Sequence, residues 1–149
     1  MSCLIYCAFT VEAYLNHLGQ LKHDDWDKIE RSLPKLKKYK KFCADTGVKP
    51  DFSQRPYSTL IELFAFRDKM AHGKTTTEHV EKEVNLPDTS TRFTTENEWQ
   101  EFSSLENARR AIKDTEDLVK ELHTNSGHSD NPFNYLGGGM FGIQRYDVT

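Results

Sequence analysis

The sequence has few of the residues that disulfide-bonded or membrane-spanning proteins depend on. Its 149 residues include five prolines, eight glycines and three cysteines, and Cys3, Cys7 and Cys43 show no C-x-x-C spacing. An odd, unclustered set of thiols favours reduced cysteines in a cytoplasmic protein. No apolar run approaches the roughly 20 residues that a membrane-spanning helix needs. The apolar start of the chain lacks the basic region of a signal peptide.

Several standard site motifs are also missing. The sequence contains no P-loop and no H-E-x-x-H, and its scattered histidines show no metal-ligand spacing. We therefore expect neither a metal nor an organic cofactor. The net charge of -3 argues against a generic nucleic-acid coat, although it averages over segments of uneven charge.

What the chain does have is helical periodicity, with 36% apolar and 29% charged residues. The pattern predicts an all-α, up-and-down bundle of four to five helices over residues 1–124, interrupted by a long polar loop at 75–95. A Gly-rich and aromatic tail follows at 125–149. The last helix is predicted over 95–123, with a capping box at its start, a stripe that includes Leu105 and Ile112, and a solvated outer face that includes Asp114.

The most informative stretch is Leu60–Lys74, which reads as one amphipathic helix ending at Gly73 in a left-handed conformation. On a helical wheel Arg67 falls in the middle of the apolar face, which also carries Ala71. Asp68 and His72 lie on its edge, four residues apart, so that their side chains can touch. A buried guanidinium must be paired or must line a cleft, because an unpaired buried charge is very costly.

Two further segments carry candidate binding residues. The first helix places Glu12 and Asn16 on the rim of its apolar face, where Glu12 could pair with Arg67 or help to orient His72. The segment PKLKKYKKF is densely basic, and such a run is either a solvated helix face or a phosphate-binding surface. Its candidate RNA-binding lysines, together with the one after Gly73, are Lys37, Lys38, Lys41 and Lys74.

An Arg and a His near each other suit cleavage of RNA. Histidine titrates near neutrality and can move a proton, while arginine stays charged and can hold a phosphate. Arg67 and His72 are five residues apart, about 140° around the helix, so one helix does not aim both at one atom. Two copies across a two-fold axis would bring both pairs into one cleft, which favours a homodimer.

The hexapeptide Arg67-Asp68-Lys69-Met70-Ala71-His72 resembles the R-x4-6-H motif of HEPN domains, including the polar residue after the arginine. The entry helix AFTVEAYLNHL is also similar to that of HEPN domains, and the resemblance covers residues 3–123. It implies a metal-independent endoribonuclease, usually homodimeric, often from toxin–antitoxin or phage-defence systems in which a cognate antitoxin is a partner. By this resemblance Arg67 and His72 are catalytic, Asp68 supports them, and Glu12 and Asn16 contact substrate.

Two other interpretations stay open at this point. One is a HEPN-like bundle that binds RNA, a nucleotide or a protein partner without cleaving anything. The other is a structural dimerisation bundle in which Arg67 pairs with Glu12 in the core. The presence of His72 favours the enzyme, because a structural salt bridge would not require it.

Overall fold

The fold is an all-α bundle, as the sequence predicts. The computed structural model describes residues 1–73, 81 and 98–133. Over these residues the chain forms six helices: α1 (Ser2–Lys22), α2 (Trp26–Ser32), α3 (Lys35–Thr46), α4 (Tyr57–Ala71), α5 (Glu98–Phe102) and α6 (Leu105–Asn125). None of these helices is long and apolar enough to cross a membrane. Predictions for Lys74, for the 75–95 loop, for the capping box at Thr95 and for most of the tail fall outside the described residues.

The direction of each helix follows from its contacts. Glu12 and Asn16 of α1 meet Lys35 and Lys38 of α3 in the same order, so these two helices are parallel. The up-and-down order holds from α3 to α4 to α6, because Thr59 meets Asp114 whereas Tyr57 meets Glu121. The short helix α2 turns the chain between the two parallel helices.

The core is one continuous cluster with α1 at its centre. Helix α1 contributes Leu4, Cys7, Ala8, Val11, Leu15 and Leu18, which recur at helical spacing and are all buried. Facing them are Tyr39 and Phe42 of α3, Leu60 and Leu63 of α4, and Leu118 and Leu122 of α6. This apolar seam fixes the positions of the polar side chains on its rim.

Gly19 has a packing role that its local sequence does not indicate. It is buried within the last turn of α1, and the ring of Trp26 lies directly against it. A Cβ built at Gly19 would stand 2.0 Å from Trp26 Cε2, far inside van der Waals contact. The glycine therefore lets α2 fold tightly back onto α1.

We expect Gly19→Ala to destabilise the protein by about 1–3 kcal/mol, because the large Trp26 ring must move out of a filled core. Gly73→Ala is the matched control, since a Cβ there meets only the Lys69 carbonyl oxygen at an ordinary 3.7 Å. Urea unfolding of both variants measures the difference. Equal midpoints would contradict the packing argument.

Most described residues of 98–123 are helical, as predicted, but the prediction of one continuous helix is wrong, because a break at Ser103 and Ser104 separates α5 from α6. The Ser104 hydroxyl accepts a hydrogen bond from the Asn107 backbone N–H at 3.1 Å, which is the cap of a new helix. The predicted stripe on α6 is only partly correct. Leu105 and Ile112 are exposed, contrary to prediction, whereas Val119 and Leu122, which belong to the same stripe, are buried together with Ala111 and Thr115.

Asp114 also lies on the opposite side from the one predicted. Only 2% of it is exposed. Arg55 Nε and Nη2 each donate a hydrogen bond to its carboxylate at 2.8 Å, and Thr59 Oγ1 donates a third at 2.6 Å. Burial alone would raise the pKa of Asp114, but these hydrogen bonds more than offset burial and hold the pKa below its ordinary value.

We expect Asp114→Asn to lower the free energy of unfolding at neutral pH by about 2 kcal/mol, since hydrogen bonds to a buried charge are lost. A depressed folded-state pKa contributes stability above the ordinary aspartate pKa of about 4, and this stability is lost as the pH falls through the folded value. The stabilities of the wild type and the variant should therefore converge in acid. Urea unfolding across that pH range tests this, and a constant difference would contradict it.

Candidate active site

Helix α4 carries the predicted catalytic residues at its C-terminal end. The helix ends slightly earlier than predicted. The helix ends at Ala71, and the His72 backbone N–H donates the last helical hydrogen bond to the Asp68 carbonyl oxygen at 2.9 Å. The prediction that Gly73 is left-handed is wrong, since Gly47 and Gly127 are the glycines with positive φ among the described residues. Ala71, predicted on the apolar face, is exposed because the last turn extends beyond the core.

Arg67 lies at the seam between α1 and α4 rather than in the centre of the core. A quarter of its side chain is exposed, and Phe66 is the buried residue beside it. Its Nη2 lies 3.5 Å from Glu12 Oε2, so the pairing with Glu12 that the sequence suggests is present. Its Nη1 donates to Asp68 Oδ1 at 2.9 Å. Its guanidinium carbon lies 5.3 Å from the centroid of the Phe9 ring, a cation–π distance.

Lys35, which is not among the predicted site residues, completes this group of charges. As the first residue of α3, it donates from Nζ to Asp68 Oδ1 at 2.6 Å and lies 3.7 Å from Glu12 Oε1. We call Glu12, Lys35, Arg67 and Asp68 the four-charge cluster; it joins α1, α3 and α4 and has no net charge. Burial alone would raise the pKa of Asp68, but hydrogen bonds from Lys35 and Arg67 hold it below its ordinary value.

The predicted contact between Asp68 and His72 is not formed. The Asp68 carboxylate faces the two cations instead, because charge-assisted hydrogen bonds are stronger than a contact with an exposed imidazole. Within the described part of the chain, the His72 ring makes no hydrogen bond or ion pair. It is exposed at the end of α4, on the turn that follows Arg67.

Asn16 lies in a separate cluster one turn along α1. Its Nδ2 donates to Glu30 Oε1 at 2.7 Å, and its Oδ1 accepts from Lys38 Nζ at 3.1 Å. Lys38 Nζ is also 3.4 Å from Glu30 Oε1, and Lys38 is only 8% exposed. We call Asn16, Glu30 and Lys38 the amide cluster. Its members satisfy one another, so the structure does not present Asn16 and Lys38 as groups free to bind substrate.

The other lysines of α3 differ among themselves. Lys37 is exposed, Lys41 donates to Asp45 Oδ2 at 3.1 Å across one helical turn, and Lys40 lies 4.9 Å from the centroid of the Phe52 ring. The basic run is therefore partly a solvated face and partly a set of intramolecular contacts. The lysines of α3 therefore do not form one continuous exposed row that could bind phosphates.

We expect Lys38→Met to lower the free energy of unfolding by about 1–2 kcal/mol, because Asn16 and Glu30 lose a partly buried charged partner. Lys37→Met removes the same charge from the exposed side of the same helix and should leave the unfolding midpoint unchanged. Thermal or urea unfolding of the two variants provides the comparison. An unfolding midpoint for Lys38→Met as high as that of the wild type would show that the amide cluster contributes nothing to stability.

Cys7 and Cys43 are not placed to act as nucleophiles. All three cysteines are free thiols; Cys7 and Cys43 are buried and Cys3 is partly buried. Burial raises the pKa of Cys7 and of Cys43 to about 11, so both thiols stay protonated at neutral pH. In residues 1–73, 81 and 98–133, no group of three or more His, Cys, Asp or Glu side chains is arranged to hold a metal ion.

A histidine cluster that no sequence motif indicates lies at the C-terminal end of α6. Tyr14 Oη and His123 Nδ1 are 2.9 Å apart, and His123 Nε2 is 3.1 Å from Asp130 Oδ1. His128 stacks on His123 with the ring centroids 4.8 Å apart. Burial, with a smaller effect of the Asp130 charge, raises the pKa of Tyr14 to about 12. The cluster holds the turn after α6 against α1 and has no part in the α4 site.

Comparison with known proteins adds no relative to this picture. No protein-family model, no curated protein and no solved structure matches this chain. The resemblance to HEPN domains accordingly rests on the sequence features given above.

Proposed function

We propose that the protein is a metal-independent, HEPN-type endoribonuclease that acts as a homodimer in the cytoplasm. The observation that carries the proposal is the end of α4: Arg67 is held in the four-charge cluster, and His72 is exposed on the next turn. An imidazole can supply the proton transfer, and a guanidinium the charge stabilisation, that RNA cleavage by the 2′-hydroxyl needs. A toxin or phage-defence role, with a cognate antitoxin as partner, belongs to the same proposal.

In the proposed reaction the 2′-oxygen of a ribose attacks the adjacent phosphorus and the 5′-oxygen of the next nucleotide leaves. One His72 accepts the proton of the 2′-hydroxyl, and the His72 of the second subunit donates a proton to the leaving oxygen. Arg67 stabilises the negative charge that grows on the phosphate oxygens. The products are a 2′,3′-cyclic phosphate and a free 5′-hydroxyl.

The two-subunit arrangement follows from helix geometry. Residues five apart project about 140° apart around α4, so Arg67 and His72 of one subunit diverge. A two-fold axis near the end of α4 would place His72 of one subunit beside Arg67 of the other. Helix α1 is parallel to α3 and therefore antiparallel to α4, so the start of α1 lies beside the end of α4. The exposed aromatic residues Tyr6 and Phe9 of α1 are consequently close to this end of α4.

We expect the purified protein to cleave single-stranded RNA in EDTA and to leave 2′,3′-cyclic phosphate ends, which mass spectrometry identifies. His72→Ala should lower the rate by at least about 100-fold, the usual contribution of a general acid or base. The melting temperature should not change, because the His72 side chain is exposed. His17→Ala, which removes another exposed histidine from α1, is the control and should leave cleavage intact.

Subunit mixing then tests the shared site. Because the proposed reaction uses the His72 of both subunits in one cleft, a wild-type subunit paired with a His72→Ala subunit should cleave at least about 100-fold more slowly than the wild-type dimer. If each site lies within one subunit, the mixed dimer keeps about half of the wild-type activity. Cleavage that persists in His72→Ala would rule out this site altogether.

A second function is a HEPN-like bundle that binds RNA, a nucleotide or a protein without cleaving it. It is favoured by the pairing of Arg67 with Glu12 and Asp68 inside one subunit, and by the absence of a described group that orients His72. RNA binding that depends on Arg67, with no cleavage across a varied RNA pool, would select this function over the enzyme.

A further inference from the structure

Within the four-charge cluster, carboxylates already contact the Arg67 nitrogens that a phosphate would bind. Both terminal nitrogens of Arg67 already face carboxylates, Nη1 facing Asp68 and Nη2 facing Glu12. Its Nε is buried, and no described group accepts its hydrogen bond. A phosphate that takes the place of one of these carboxylates can form a two-pronged contact with the guanidinium.

Asp68 is the carboxylate better placed to leave. It is the more exposed of the two, with 44% of its side chain accessible compared with 20% for Glu12. Its Oδ1 accepts from Lys35 at 2.6 Å and from Arg67 at 2.9 Å at the same time. If a phosphate displaced Asp68 from Arg67, Asp68 would keep its hydrogen bond from Lys35.

Within the proposed ribonuclease site, we propose that Lys35 is a positioning residue that retains the Asp68 carboxylate when a phosphate oxygen replaces it on Arg67. Lys35 is itself held in place by Glu12, 3.7 Å away, and by its position at the start of α3. Without Lys35, Asp68 would have Arg67 as its remaining partner in the cluster and would compete directly with the phosphate.

Binding of a short, labelled, single-stranded 2′-deoxyoligonucleotide in EDTA tests this without cleavage, because the probe lacks the attacking hydroxyl. We expect Lys35→Met to weaken binding about tenfold, as for the loss of one hydrogen bond to a charged group. Lys35→Arg keeps the charge and the donor and should bind within about threefold of the wild type. Lys113→Met removes an exposed charge on α6 and should change nothing.

A double-mutant cycle with Asp68→Asn separates positioning from simple attraction between Lys35 and the probe. If Lys35 acts through Asp68, then Asp68→Asn restores most of the tenfold loss in the Lys35→Met background and improves wild-type binding by less than about threefold. If Lys35 only attracts the probe, Asp68→Asn improves binding by the same factor in both backgrounds, and the proposal is overturned.

The outcomes also separate this proposal from the proposed function. If Arg67→Gln leaves probe binding unchanged, no phosphate binds at Arg67, and the ribonuclease and the role of Lys35 are both wrong. If Arg67 is needed for binding and the cycle is non-additive, but RNA is not cleaved, Lys35 keeps its role in a bundle that binds without catalysis. Circular dichroism melts of each variant confirm that folded protein is being compared.

Discussion

The candidate site depends on the neutral contact of Arg67 and Lys35 with Glu12 and Asp68. Three-quarters of the Arg67 side chain is buried, and the carboxylates of Glu12 and Asp68 offset the cost of burying its charge. Lys35 in turn balances the second of the two negative charges. The contact forms where the apolar core runs out, between the last turns of α4 and the start of α3. Charge pairing thus fixes the helix ends at a place where hydrophobic packing alone would leave them loose.

The same rim of α1 serves stability and the candidate chemistry on successive turns. Glu12 belongs to the four-charge cluster, which contains Arg67. Asn16, four residues further on, belongs to the amide cluster, which has a buried lysine and no candidate catalytic group. One turn is connected to the proposed site and the next is structural, although both positions look alike in sequence. A polar residue beside an apolar seam therefore indicates pairing first, and function only when its partner can also reach a substrate.

Much of the fold could be predicted from periodicity. The buried face of α1 follows its apolar spacing, and the pairing of Glu12 with Arg67 follows from the cost of an unpaired charge. Other features depend on partners distant in sequence: Asp114 reads as a surface residue until Arg55 and Thr59 fold over it, and Gly19 as a weak helix position until Trp26 packs on it. Local pattern does not contain that information.

For the candidate site residues, the sequence predicted their positions on the helix better than their contacts. Arg67 and His72 lie at one helix end as expected, but Asp68 faces Lys35 instead of the histidine. Among the lysines of α3, the sequence could not distinguish Lys38, which is buried against Trp26, from Lys37, which is exposed. When nearly every position in a run is a lysine, the rotation of the helix about its axis decides which lysines face inward. That rotation depends on where the helix starts.

The parallel arrangement of α1 and α3 has a consequence for how this protein can vary. Two polar contacts, Lys35 with Glu12 and Lys38 with Asn16, hold α3 in register along α1. A slide of one turn, about 5.4 Å, would break both at once, even if the apolar side chains found new neighbours. A shift of α3 along α1 would therefore dismantle the surroundings of Arg67.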